Sequence, residues 1–226
     1  MKISSTQLGT STTLAGRQTV FTPTSLVDPM SVLLFGKRRA RRLDPRKFPK
    51  LKKALRKLEA MKDEISEILG VADGTFQIEL CEGNNASVSR DGTIGVGKNL
   101  IEEHEDDNDF WVAVVGHEIG HQPWTWPEAL PPGMTLKSRD AVYREEEAKA
   151  DRFAGRVLAE LGADPSSVAH FLLRNARFET KPPSDYYPAE VRVQMILDAH
   201  HRRDRALRRG QAVLGDAGAR RLRDLR

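Results

Sequence analysis

What most limits the folds open to this chain is an apolar segment that runs straight into a cluster of ionisable side chains. Phe110-Trp111-Val112-Ala113-Val114-Val115-Gly116 is followed at once by His117-Glu118-Ile119-Gly120-His121. Asn108 or Asp109 is placed to cap a helix that continues to His121. A helix apolar nearly all round belongs in a core. Two histidines and a glutamate at the end of a buried helix then need partners, because unpaired polar groups are costly there. Residues four apart share a helix face, so both imidazoles can reach one ion about 2 Å away. Glu118, one residue from a ligand, can touch a water on that ion without binding the ion itself. Zinc makes such a water acidic near neutral pH, and a carboxylate can take its proton during attack on a carbonyl. The H-E-x-x-H pattern alone is short and common. The apolar run before it is what argues against two surface histidines.

A catalytic zinc wants a third protein ligand and an open position. Cys81 is the only cysteine, which also excludes an internal disulfide and a cysteine-based zinc site. His104, His170, His200 and His201 have no motif around them. The next long helix, expected from about Asp140 to Leu161, carries Glu145-Glu146-Glu147-Ala148-Lys149-Ala150-Asp151. Glu147 is the favoured ligand, since Asp151 shares its face and could accept a hydrogen bond from a ligating imidazole. Glu145 and Glu146 are expected on a solvated face.

The rest of the chain predicts an α+β domain, mostly helical, with a small sheet. At 226 residues and 39% hydrophobic composition it suits one compact domain. Leu51, Leu55, Leu58, Ile65 and Leu69 form one stripe of a helix that Gly70 should stop. Phe76, Ile78 and Leu80 alternate as in a half-buried strand, and Thr93-Ile94-Gly95-Val96-Gly97 reads as another. Asp164-Pro165 and Pro188 each mark a helix start. No apolar run approaches the 18 residues of a membrane helix. The N-terminus lacks the apolar core of a secretory signal. Cytoplasmic residence is therefore the expectation, with export by a dedicated system as the alternative. Nothing in the sequence sets the oligomeric state.

Charge divides the chain. Gly36 to Lys62 holds 13 Lys/Arg against two acids, and Arg202 to Arg226 nine Arg against three Asp. Asp63 to His201 carries 12 basic and 26 acidic residues. The expected organisation is a Ser/Thr-rich and basic disordered leader over 1–45, a folded domain over 46–200 and an arginine-rich helix or tail over 201–226. Residues 36–62 and 202–226 suit nucleic acid or an acidic surface, though no aromatics interleave with the arginines as a single-strand binder would want.

Together these segments resemble the gluzincin metallopeptidases of the HtpX, Oma and CAAX-prenyl-protease family. His117 to His121 is similar to that family's H-E-I-G-H, and Glu147-Ala148-Lys149-Ala150-Asp151 to its E-x-x-A-D. Asn85-Ala86-Ser87 with Gly92-Thr93-Ile94-Gly95-Val96 looks like its edge-strand segment, and Gly162-Ala163-Asp164-Pro165 like its G-x-D-P. The resemblance covers about residues 48 to 198. It implies a zincin-like domain, with one Zn2+ per chain on His117, His121 and Glu147, Glu118 as general base, and peptide or protein substrates cut internally. It implies further that a substrate strand adds to an edge formed by Thr93, Ile94, Gly95 and Val96. Where relatives carry His-Pro before an Arg, this chain has Tyr186-Tyr187-Pro188 and Arg192. The expectation is that Tyr186 or Tyr187 stabilises the oxyanion and Arg192 orients Glu147. The Trp124 and Trp126 loop either walls the cleft or tucks over the core. Alternatives that keep the metal site are a protease brought to nucleic acid or acidic partners by its basic arms, and a secreted effector or toxin protease. A non-catalytic zinc-stabilised module fits less well, since it has no use for Glu118.

Overall fold

The computed structural model describes residues 40–127, 132–177 and 186–209. Most of the expected leader, and the end of the arginine tail, lie outside them. Two short 3-10 turns, Pro45–Lys47 and Pro49–Leu51, lead into helix α1 (Lys52–Leu69). Strands β1 (Gln77–Cys81), β2 (Ala86–Val88) and β3 (Thr93–Gly97) follow, then α2 (Lys98–Glu103), α3 (Asn108–Gly120), α4 (Leu136–Leu161), α5 (Ser166–Ala176) and α6 (Ala189–Arg208). The described chain is mostly helical with one three-stranded sheet, in line with the α+β expectation. No helix among the described residues is long and apolar enough to cross a membrane.

Helix α3 is the central element, as its composition requires. Phe110, Val112 and Val115 are fully buried, and α1 packs on one side through Leu58, Met61 and Ile65. Its cap is Asp107, one or two residues earlier than expected: the Asp107 carboxylate accepts from the Phe110 amide at 3.0 Å. On the other side lies α4. A Cβ on Gly120 would stand 2.9 Å from the Phe153 Cβ and 3.1 Å from the Ala150 Cα. The second variable position of the H-E-x-x-H segment is thus where α4 comes closest, and this approach brings Glu147 to the histidines.

Helices α4 and α6 run parallel, as successive contacts show: Asp151 meets Arg192, Gly155 meets Ile196 and Glu160 meets Arg203. A Cβ on Gly155 would lie 2.2 Å from the Ile196 carbonyl oxygen, with no flexible side chain to yield. Gly155→Ala should therefore force α6 outward at a cost of about 1–3 kcal/mol. In a thermal melt the expected drop is about 2–12 °C; an unchanged Tm would contradict the packing described. At the far end Arg203 pairs with buried Glu160, which also draws Arg156.

Three sequence boundaries move. Residues 41–43 are not leader, because the Leu43 amide donates to the Leu80 carbonyl and the Glu82 amide to that of Arg41. The basic segment after His201 begins as part of α6, which runs unbroken to Arg208. Helix α4 starts at Leu136, capped by Thr135.

The sheet corrects one site expectation. Its order is β1-β3-β2, with β3 parallel to β1 and antiparallel to β2. Thr93, Ile94, Gly95 and Val96 form the middle strand, so both sides of their backbone already face partners and no substrate strand can add there. The edge toward α3 belongs to β2. The Ser89 amide donates to Thr93 across the hairpin, so by the alternation of an antiparallel ladder Ala86 and Val88 turn their amides outward.

Candidate metal centre

Three elements bring together the residues singled out in the sequence. The last turn of α3 supplies His117 and Glu118 and its C-cap is His121, the middle of α4 supplies Glu146, Glu147 and Asp151, and the first turn of α6 supplies Arg192. Donor atoms of His117, His121 and Glu147 all lie within 4.8 Å of one another. His117 Nε2 is 3.2 Å from Glu147 Oε2, and His121 Nε2 is 3.8 Å from Glu147 Oε1. This group is close enough to hold a metal ion, and two imidazoles with one carboxylate make a donor set that suits zinc.

Two of the three, His117 and Glu147, are braced from behind. His117 Nδ1 lies 3.0 Å from Asp151 Oδ1, which fixes the ring with Nε2 toward Glu147. Arg192 donates to both Asp151 oxygens, at 2.8 and 2.9 Å, and its Nη2 is 3.8 Å from Glu147 Oε2. Arg192 therefore holds Asp151 first and Glu147 only secondarily, a correction to the role expected for it. His121 Nδ1 has Glu146 Oε1 at 3.5 Å. That Glu146 oxygen accepts from Trp126 Nε1 at 3.0 Å and lies 3.5 Å from Lys149 Nζ. Glu146 is half-buried beside the second histidine, and not on the solvated face expected from the sequence.

The charges explain one another. Burial alone would depress His117, but hydrogen bonds to Asp151 and Glu147 carry it up to about 10. Burial pushes the Asp151 and Glu147 carboxyls up, yet Arg192 and His117 hold Asp151, and both histidines with Arg192 hold Glu147, below the usual range. Among the described residues Arg192 lies against Asp151 and Glu147 and Lys149 against Glu146, so the acids of this cluster outnumber its permanent cations, an excess that a divalent cation would offset. The proton on His117 stands in for part of that cation. By donor chemistry and by charge, the residues present fit a divalent metal.

Glu118 stands apart from this bracing. It is 5% exposed, and its Oε2 has no hydrogen-bond partner among the described residues. Burial raises its pKa, and the outward-turned Val88 amide of β2 hydrogen-bonds the carboxylate. Glu118 lines a cleft of about 130 Å3, whose apolar wall includes Phe110, Val114, Phe171 and Leu172 and whose rim includes Asn85 and Ala86.

The tyrosines separate. Tyr186 lines the cleft, with the Arg192 guanidinium 4.9 Å from its ring centre. Tyr187 instead donates to Glu145 at 2.6 Å on the outer surface. The tryptophan loop is tucked over the core: Trp126 is buried and Trp124 packs on Phe76 at 5.7 Å. Comparison of the chain with protein-family models, with curated proteins and with solved structures finds no match.

Proposed function

We propose that the chain is a zinc-dependent endopeptidase of gluzincin design, with His117, His121 and Glu147 as zinc ligands. The observation that carries this reading is Glu118. A structural metal site needs only ligands, whereas here a buried carboxylate, one oxygen of which has no partner among the described residues, sits beside the ligand cluster. A buried polar atom left without a partner is costly, and its retention points to a reacting molecule as the missing partner.

When bound, zinc supplies a Lewis acid that polarises a carbonyl and brings a water's pKa toward about 7. The chain's own residues do the rest. The outer edge of β2, at Ala86, lies along the cleft and pairs with the main chain of an extended peptide. The apolar wall takes one substrate side chain. Glu118 accepts the proton of the attacking water and returns it to the amine released as the C–N bond breaks. Tyr186 donates a hydrogen bond to the oxyanion that forms on the former carbonyl. Asp151 and Arg192 keep His117 and Glu147 in place throughout.

Full-length protein stripped with a chelator and reloaded with one equivalent of zinc should cut internally quenched peptides, and the chelated protein should not. A folded, zinc-loaded protein inert across a diverse peptide set would contradict the proposal. Tyr186→Phe should lower kcat about 10²-fold with zinc retained, as removal of one oxyanion donor does. Tyr187→Phe should leave it unchanged; equal effects from both would remove Tyr186 from the role.

A further inference from the structure

We infer that the chain binds duplex nucleic acid through its phosphate backbone, on exposed basic side chains at and just before the start of α1, none of which lines the cleft at the metal centre. Among the exposed residues 46–56 are Arg46, Lys47, Lys50, Lys52, Lys53 and Arg56. Their surroundings sort them. Arg46 is paired with Asp44. Lys53 lines, with Lys57, the same hollow as the acidic segment Glu102 to Asp109, which sets it apart from the others. Lys47, Lys50, Lys52 and Arg56 have no carboxylate within ion-pair distance among the described residues. Arg56 donates to the Lys52 carbonyl, so these two side chains lie one turn apart on one stripe.

These cations occupy an unfavourable place unless an anion comes. The first turn of α1 contains no acid and its N-cap residue, Leu51, makes no side-chain cap. The helix dipole already puts positive potential there, and Lys52 adds to it. The inner face of α1, through Ala54, Leu58 and Met61, is committed to the core, so the cations contribute nothing to packing. Directly before the described chain stand Lys37, Arg38 and Arg39, which extend the same charge run.

The partner's chemistry follows from what the face lacks. Lipid binding by a folded surface usually inserts apolar side chains. The only large apolar side chain exposed among the described residues is Val191, on α6. Base stacking needs exposed aromatic rings, and Phe48 is half-buried, with Lys98 Nζ 6.0 Å from its ring centre. Phosphate contacts alone remain. They make binding independent of sequence and steep in salt, with about 0.9 counterions released per phosphate neutralised. A duplex offers the denser row of phosphates.

The test is fluorescence anisotropy with a random 20-bp DNA duplex and full-length protein, from 50 to 200 mM salt. Wild-type binding should weaken at least ~10²-fold across that range. The variant K47Q/K50Q/K52Q/R56Q should flatten the slope of log affinity against log salt by about 3–4. All four side chains are exposed, so the variant should melt no lower than wild type. If the quadruple variant melts early, the pair K47Q/K50Q, outside α1, should still flatten the slope by about 2. Unaltered slopes, or no duplex binding at 50 mM, would overturn the inference. Binding to phosphatidylserine vesicles without duplex binding would overturn it in favour of a lipid surface. Zinc takes no part in this readout, so its failure and failure of the peptidase reading are separate results.

Discussion

Glu118→Gln is expected to abolish peptide hydrolysis, by about 10²–10⁴-fold in kcat, while the protein still binds one zinc. Glutamine keeps the shape of the side chain and can still accept the hydrogen bond from Val88. It cannot hold the proton that the attacking water must lose. The surroundings should barely register the change, because Glu118 braces neither histidine and its Oε2 has no partner among the described residues. Burial disfavours the charged form of Glu118, so the neutral amide should not destabilise the fold. Turnover near zero with unchanged zinc content and an equal or higher Tm is therefore the expected pattern. Unchanged turnover would mean that another group takes the proton. Lost zinc would make Glu118 a ligand rather than a base. Metal content by mass spectrometry and a quenched-peptide assay on the same sample distinguish these results.

Metal uptake is expected to release about one proton per ion at pH 7 to 8. The metal-free protein holds His117 protonated up to about pH 10, between Asp151 and Glu147. A ligating imidazole must be neutral, so the ion displaces that proton. Below pH 10 each unit of falling pH should weaken zinc binding about tenfold through this group alone. Stability of the metal-free protein has the opposite dependence. His117 has a raised folded-state pKa, so its stabilising contribution is complete below its ordinary value of 6.5 and fades as pH rises through about 10. Calorimetric titration with zinc in buffers of different ionisation enthalpy reads the proton count directly. No proton released at pH 7.5 would contradict the charge arrangement described for the site. In Asp151→Asn the count should fall well below one, because the His117 proton loses its strongest partner.

Much of the site was legible because it is built from short helical spacings. His117 and His121 four apart, and Glu147 and Asp151 four apart, put their side chains on common faces whatever the rest of the fold does. The apolar run ahead of His117 showed that the face was buried. What the spacing could not give was the relation between elements. Thr93 to Val96 alternates and carries glycines as an edge strand would, yet its place in the sheet depends on β1 pairing parallel to it across an intervening hairpin. That is a non-local choice with no signature in the strand itself. Arg192 was placed at the site through the resemblance, but its first partner depends on how far along α6 packs against α4. Gly155 sets that distance. Glu146 was missed for a related reason: its neighbour Trp126 comes from a loop whose path over the core no periodicity records. Tyr186 and Tyr187 part ways, one lining the cleft and the other bonding Glu145, and neither residue carries a mark of which does which. Which one faces the cleft follows from where α6 begins.

The central claim, that these residues cut peptide bonds, meets its most direct test in a cell lysate. Zinc-loaded wild-type protein and its Glu118→Gln counterpart would be incubated with the same mixed proteome, and new protein N-termini mapped by mass spectrometry. New internal termini in the wild-type sample, absent with Glu118→Gln and with chelated wild type, are the expected result. They would also show, by the residues flanking each cut, whether an apolar side chain fills the wall of Phe110, Val114, Phe171 and Leu172. Identical sets of termini from the wild-type and Glu118→Gln samples, with one zinc bound in each, would contradict the claim.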